Sequence, residues 1–215
     1  MSRADQDRLV AALAHPAVFG AGCARVVVLE THISYVLLTG QHAYKIKKAV
    51  DLGFLDFTTL AARQFFCRQE LRLNHRLAPS LYLEVVAITG SVDAPAIGGG
   101  GPVLEYAVKM REFAQEALAS RVLARNELGA GHIDELAAKV AAFHAASDRA
   151  AAESAFGTPE AIRRVAQANF TQIRALLTDP AEQRACDVLA AWAEREHVAR
   201  TAAFLERRQR GFVRE

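Results

Sequence analysis

The chain has 215 residues, of which 52% are hydrophobic and 23% charged, with a formal net charge of +2. This length and apolar content support one large domain or two small lobes and exclude global disorder. So small a charge makes no electrostatic case for nucleic acid or an anionic membrane, and no apolar run approaches the roughly 20 residues of a membrane span.

In chain order, Asp5 to Leu13 predicts an amphipathic helix and not a signal peptide. Arg25 to Glu30, Tyr35 to Thr39 and Ala43 to Lys47 are rich in β-branched and aromatic residues and predict a three-stranded antiparallel meander. A helix follows, capped by Thr58 or Thr59 and closed near Leu77 by Ala78-Pro79. Leu81 to Thr89 predicts a fourth strand and Val103 to Met110 a fifth, joined by a long hairpin loop from Gly90 to Pro102. Beyond Phe113 the chain turns alanine-rich and its periods become helical. Helices are expected over Ala117 to Leu128, Ile133 to His144, Pro159 to Leu177 and Pro180 to Arg208. The second of these carries an apolar stripe of Ile133, Leu136, Ala137, Val140, Phe143 and His144, with His144 expected in the core. Strands with one inserted helix, then helices alone, give an α+β class.

The chemistry starts in the inserted helix. Phe66, Glu70, Leu73 and Leu77 share a face by helical spacing, which sets a carboxylate amid apolar residues. Such a group either reaches out to water or is held by a cation. Lys45 and Lys47, on one face of the preceding strand, are the candidate cations. Ala43, two residues before Lys45, leaves room for a flat ring above it. A strand lysine paired with a helix glutamate, followed by strand, hairpin, strand and helices, is the order of a kinase N-terminal lobe.

Several stretches strengthen that reading. Glu30 to Ser34, Ala43 to Lys48, Asp51 to Phe57, Glu70 to Asn74, Ala78-Pro79 and Ala107 to Arg111 resemble a group of bacterial aminoglycoside-phosphotransferase-like proteins, often fused to a C-terminal P-loop kinase domain. The resemblance implies a protein-kinase-like fold: a five-stranded N-lobe over residues 1–110, then a linker and a partial helical C-lobe over 111–215. It implies that Lys45 binds nucleotide phosphates with Glu70 as its partner, under a turn formed by Thr31, His32, Ile33 and Ser34. It also implies that the backbone of Met110, Arg111, Glu112 and Phe113 meets adenine. ATP and Mg²⁺ are the implied cofactors, and a small-molecule hydroxyl is the implied acceptor.

In that family a Cys-His-Gly-Asp-Leu-His catalytic loop follows a segment like Gly211 to Glu215, and a metal-binding carboxylate comes after it. Neither occurs here, and Asp134 and Asp148 are poor substitutes. The chain is therefore read as a fragment ending before its catalytic loop, inactive alone, with no catalytic residue and no metal ligand of its own. The alternative is a non-catalytic, pseudokinase-like module that binds a protein partner. Leu189, Trp192, Phe204 and Leu205 are expected to leave apolar helix surface exposed, which favours self-association.

Other patterns are weaker. Gly98 to Gly101 is followed by Pro102 and a strand, not by Lys-Ser/Thr and a helix, so it reads as a turn and not a phosphate cradle. The seven histidines show no metal-ligand spacing. Cys23, Cys67 and Cys186 lie far apart without Cys-x-x-Cys spacing, which suits a cytoplasmic protein with reduced thiols.

Overall fold

A computed structural model describes residues 3–151 and 153–214, which form two compact units, residues 1–129 and 130–215. The first holds α1 (Arg3–Leu13), β1 (Val27–Glu30), β2 (Ser34–Leu38), β3 (His42–Lys47), α2 (Leu60–His75), β4 (Tyr82–Ser91), β5 (Ala94–Ile97), β6 (Val103–Arg111) and the short α3 (Ala119–Ala124). The second consists of α4 (Ala130–Ala146), α5 (Pro159–Leu176) and α6 (Pro180–Gln209). The class is α+β, and no helix among the described residues is long and apolar enough to cross a membrane.

The strands make one antiparallel sheet in the order β1-β2-β3-β6-β4-β5. It has six strands, where the sequence predicts five. The extra one, β5, lies inside the stretch expected to be loop. Pro95 hides it, because proline cannot donate to a ladder; β5 is an edge strand, where that donor is not needed. Gly90, opposite Pro95, has φ +95°, and a side chain there would meet the Ala94 carbonyl oxygen at 2.6 Å. Only glycine lets the two strands approach so closely.

Register gives the sheet two unlike faces. Tyr35, Leu37, Tyr44, Ile46, Ile88 and Ala107 pack with Leu9, Val10 and Leu13 of α1 into the apolar core. Burying Leu9, Leu13, Leu37 and Ile46 completely is worth about 1.5–3 kcal/mol per side chain relative to exposure. The opposite face takes α2, which is N-capped by Thr59, whose side chain accepts from the Ala62 amide. That helix turns only the Phe66–Glu70 half of the expected stripe inward. Arg63 and Cys67 are fully buried and the Glu70 side chain is 11% exposed, whereas Leu73 and Leu77 are 39% and 36% exposed. The buried ionic groups need specific partners, and satisfying them sets the rotation of the helix.

Arg63 has the most constrained of these contacts. Its Nε donates to both oxygens of Glu105 at 2.9 and 2.8 Å, and its guanidinium donates to the Phe57 and Thr58 carbonyls. The Gln6 amide of α1 donates to Glu105 Oε2 and to the Lys47 carbonyl.

In the other helices the structure corrects two expectations. The helix predicted over Ala117 to Leu128 is a 3₁₀ turn (Gln115–Ala117) followed by α3, and Asn126 with φ 59° ends the run in the left-handed region. α4 has no buried residue, so His144 is exposed and not a core histidine.

Arg63→Met should destabilise the protein by about 3–5 kcal/mol in urea unfolding, because it leaves Glu105 buried without its cation. The double variant Arg63→Met/Glu105→Leu should recover most of that loss.

Candidate functional site

The face of the sheet under α2 carries Ser34, Val36 and Leu38 from β2 and Ala43, Lys45 and Lys47 from β3, paired as Ser34–Lys47, Val36–Lys45 and Leu38–Ala43. Val27 and Leu29 of β1 continue it, paired with Leu38 and Val36. Glu70 meets this face from the helix. Its Oε1 accepts from Lys45 Nζ at 2.7 Å and its Oε2 from Lys47 Nζ at 2.7 Å. One carboxylate therefore holds both candidate lysines. They are not equivalent: the Lys47 side chain is 7% exposed, with its ammonium 5.0 Å from the Phe57 ring centroid, while Lys45 is 28% exposed.

Beside Lys45 the floor is apolar. Ala43 and Leu38 are buried, Val27 and Leu29 are open to one side, and these last three border a cavity of about 730 Å³ with Gly40, Glu112, Phe113 and Leu118. Arg25, Glu116 and Arg121 supply mixed charge at its rim. Val27, Leu29 and Leu38 were not singled out in the sequence, although the period-2 alternation of β1 and β2 carries them.

The remaining predicted residues fall around this floor. Met110 is the register partner of Ala43. Past it, the Arg111 amide donates to Leu81 and the Glu112 amide to Gln41, while the Glu112 carboxylate accepts from the Gly40 amide at 2.7 Å. Two of the linker's amides are thus engaged within the protein, while Glu112 and Phe113, the latter 45% exposed, line the cavity. The turn from Thr31 to Ser34 is tight. The Thr31 amide and hydroxyl both donate to the Ser34 carbonyl, and the Thr31 hydroxyl accepts from the Ser34 amide. His32 is exposed and Ser34 is fully buried. Asp134 lies on α4, in a helix and not in a loop. Among the described residues no group of three or more His, Cys, Asp and Glu side chains could hold a metal ion.

No family model matches the chain, and no solved structure matches it. Uncharacterized proteins of Mycobacterium bovis and of two strains of Mycobacterium tuberculosis are each 34% identical to it over 148 residues, which is 68% of this chain and 28% of each relative. The chain thus spans less than a third of the length of these curated relatives.

Burial alone would raise the Glu70 carboxyl, but the hydrogen bonds and charges of Lys45 and Lys47 outweigh it and hold the group below its ordinary 4.5. Ionised Glu70 accordingly stabilises the folded chain above pH 4.5, and that contribution is lost as the pH falls through the lowered value. Glu70→Gln should lower the urea midpoint at neutral pH yet make it fall less than wild type between about pH 5 and about pH 3.

Proposed function

We propose that residues 1–129 form the nucleotide-binding lobe of a protein-kinase-like protein related to the aminoglycoside phosphotransferases. The observation that carries this reading is the Lys45–Glu70 ion pair between the third strand and the helix after it. A lysine and glutamate in those two positions hold the phosphates of ATP in kinases. The apolar strip beside Lys45 supports it too, because a purine needs a flat floor with a lysine at one end and a backbone linker at the other.

In this reading Val27, Leu38 and Ala43 face the adenine, and the Phe113 amide hydrogen-bonds its edge, while the Phe113 carbonyl accepts from the Gln115 side chain. Lys45 meets the phosphates as a point charge. The turn at Thr31 and His32 covers them; the Ser34 amide is already used by Thr31, so the tip amides of His32 and Ile33 are the donors it offers.

The cofactors this reading implies are ATP, and Mg²⁺ in a protein that also carries the carboxylates to hold it beside the phosphates. Phosphate transfer to a small-molecule hydroxyl is assigned to a protein that also carries a catalytic loop, and the 215 residues contain no His-Gly-Asp motif. Titration calorimetry should detect weak ATP binding, and Lys45→Met should weaken it by at least about tenfold. Phosphate transfer by this chain alone should be undetectable as ADP release. Wild-type affinity in Lys45→Met, or turnover near 1 s⁻¹, the order of a working kinase, would sink the reading.

A second reading has one observation in its favour. Val188, Leu189, Trp192 and Val198 of α6 are all at least 54% exposed, as suits a non-catalytic module that binds a protein partner or a second copy of itself. Sedimentation velocity across a concentration series should then show association, which Trp192→Glu weakens. A concentration-independent monomer would remove the support for self-association.

A further inference from the structure

The Lys45–Glu70 pair has a feature that its role as a pair does not require. Glu70 carries one negative charge and is held by two ammonium groups, at 2.7 Å each, so the cluster has a net charge of +1. Among the described residues Glu70 is the only carboxylate within ion-pair distance of either lysine. The neighbouring acids do not compensate. The Cys67 thiol is pushed up to about 12, chiefly by burial, and stays neutral; the Tyr82 phenol is also raised, again chiefly by burial. Glu105 is taken by Arg63, and Glu30 by Lys48.

An unbalanced charge is costly where water is scarce, and here the Lys47 and Glu70 side chains are 7% and 11% exposed. Two observations show where the surplus points. Lys47 is enclosed, its ammonium between Glu70 Oε2 and the Phe57 ring, so its charge is spent on Glu70. Lys45 shares the same carboxylate but is 28% exposed, so the uncompensated charge is presented through Lys45. Ser34, the register partner of Lys47 on this face, is fully buried, and its Oγ has no hydrogen-bond partner among the described residues.

We propose that Lys47 is a positioning residue that turns the usual neutral lysine–glutamate pair into a cationic one, so that this site holds a polyphosphate chain without a metal ion. The polyphosphate is the tail of a nucleotide or an inorganic chain of the same chemistry. Lys47 never touches it. By neutralising Glu70 from the buried side, it frees Lys45 to interact with the phosphates at full charge. The inference rests on the phosphate half of the function proposed above and is independent of the adenine half.

The test is titration calorimetry of the full chain with inorganic tripolyphosphate and with ATP, each in EDTA and in Mg²⁺, at two ionic strengths. Wild type should bind tripolyphosphate in EDTA. Lys47→Met, which keeps the side-chain length, should weaken that binding about tenfold, the order expected for removing one nearby charge, and should flatten its salt dependence. Lys47→Arg should keep both affinity and slope, and circular dichroism should show all variants folded. Loss of affinity in Lys47→Met with an unchanged salt slope would mark a packing defect and overturn the proposal. So would binding that appears only with Mg²⁺, or a Lys47→Met affinity within about twofold of wild type. If tripolyphosphate behaves as expected but ATP binds no more tightly, the adenine reading fails and this proposal stands. If ATP binds with Mg²⁺ and ignores Lys47, the proposal fails and the nucleotide reading stands.

Discussion

Arg63 and Glu105 face each other with no exposure to solvent, at 2.8 Å, and their hydrogen bonds draw in two other parts of the chain. Gln6 brings in α1, while the Phe57 and Thr58 carbonyls bring in the segment that leads into α2. A buried pair of this sort contributes little net stability compared with apolar residues of the same volume, but it tolerates few alternative geometries. Its value here is positional. Arg63 and Glu70 lie on the same side of α2, two turns apart, so fixing the guanidinium fixes the height and rotation at which the Glu70 carboxylate reaches the sheet.

The two faces of the sheet then divide the labour. The face against α1 is apolar, and its core is built from residues such as Leu37, Ile46 and Ile88 that are fully buried. The face against α2 sets cations beside apolar residues: Ala43, Lys45 and Lys47 stand in line on β3, opposite Leu38, Val36 and Ser34 of β2. A strand can present such different faces because successive side chains point to opposite sides. The hydrophobic face supplies the stability that lets the other face carry charges at little exposure. Shifting β3 by one residue would bury its lysines in the core and expose Tyr44 and Ile46, so the register is strongly enforced.

How much of this was legible in the sequence differs from element to element. The lysine–glutamate meeting was, because a glutamate inside a helix stripe and two lysines on one strand face leave few ways to satisfy the charge. The helix face was misjudged by its leucines. Leu73 and Leu77 look like core residues in a pattern count, yet they lie at the exposed edge. Arg63 escaped notice because an arginine in a helix is ordinarily a surface group, and only the partner Glu105, far away in sequence, makes its burial affordable. The strand β5 was hidden by Pro95, whose meaning depends on whether its strand lies at the sheet edge. In each case the missing information was long-range: a partner or a sheet position that local periodicity does not contain.

The same contrast separates the two units. Residues 1–129 bury aliphatic side chains from α1 and several strands completely, whereas among the described residues of 130–215 only Pro159 and Cys186 are buried. The helices of the second unit are rich in alanine, which favours helix formation but offers little area to bury. α5 and α6 are held at their starts by Thr158 and Asp179 caps with proline in the first turn, and along their lengths by exposed pairs such as Arg163–Glu194. Capping is worth about 1 kcal/mol each and exposed ion pairs less. Local signals of this kind determine where each helix begins and ends, but they do not make a core. The order of the second unit therefore rests far more on helix propensity than that of the first, and its apolar residues, Trp192 among them, remain available to whatever surface can cover them.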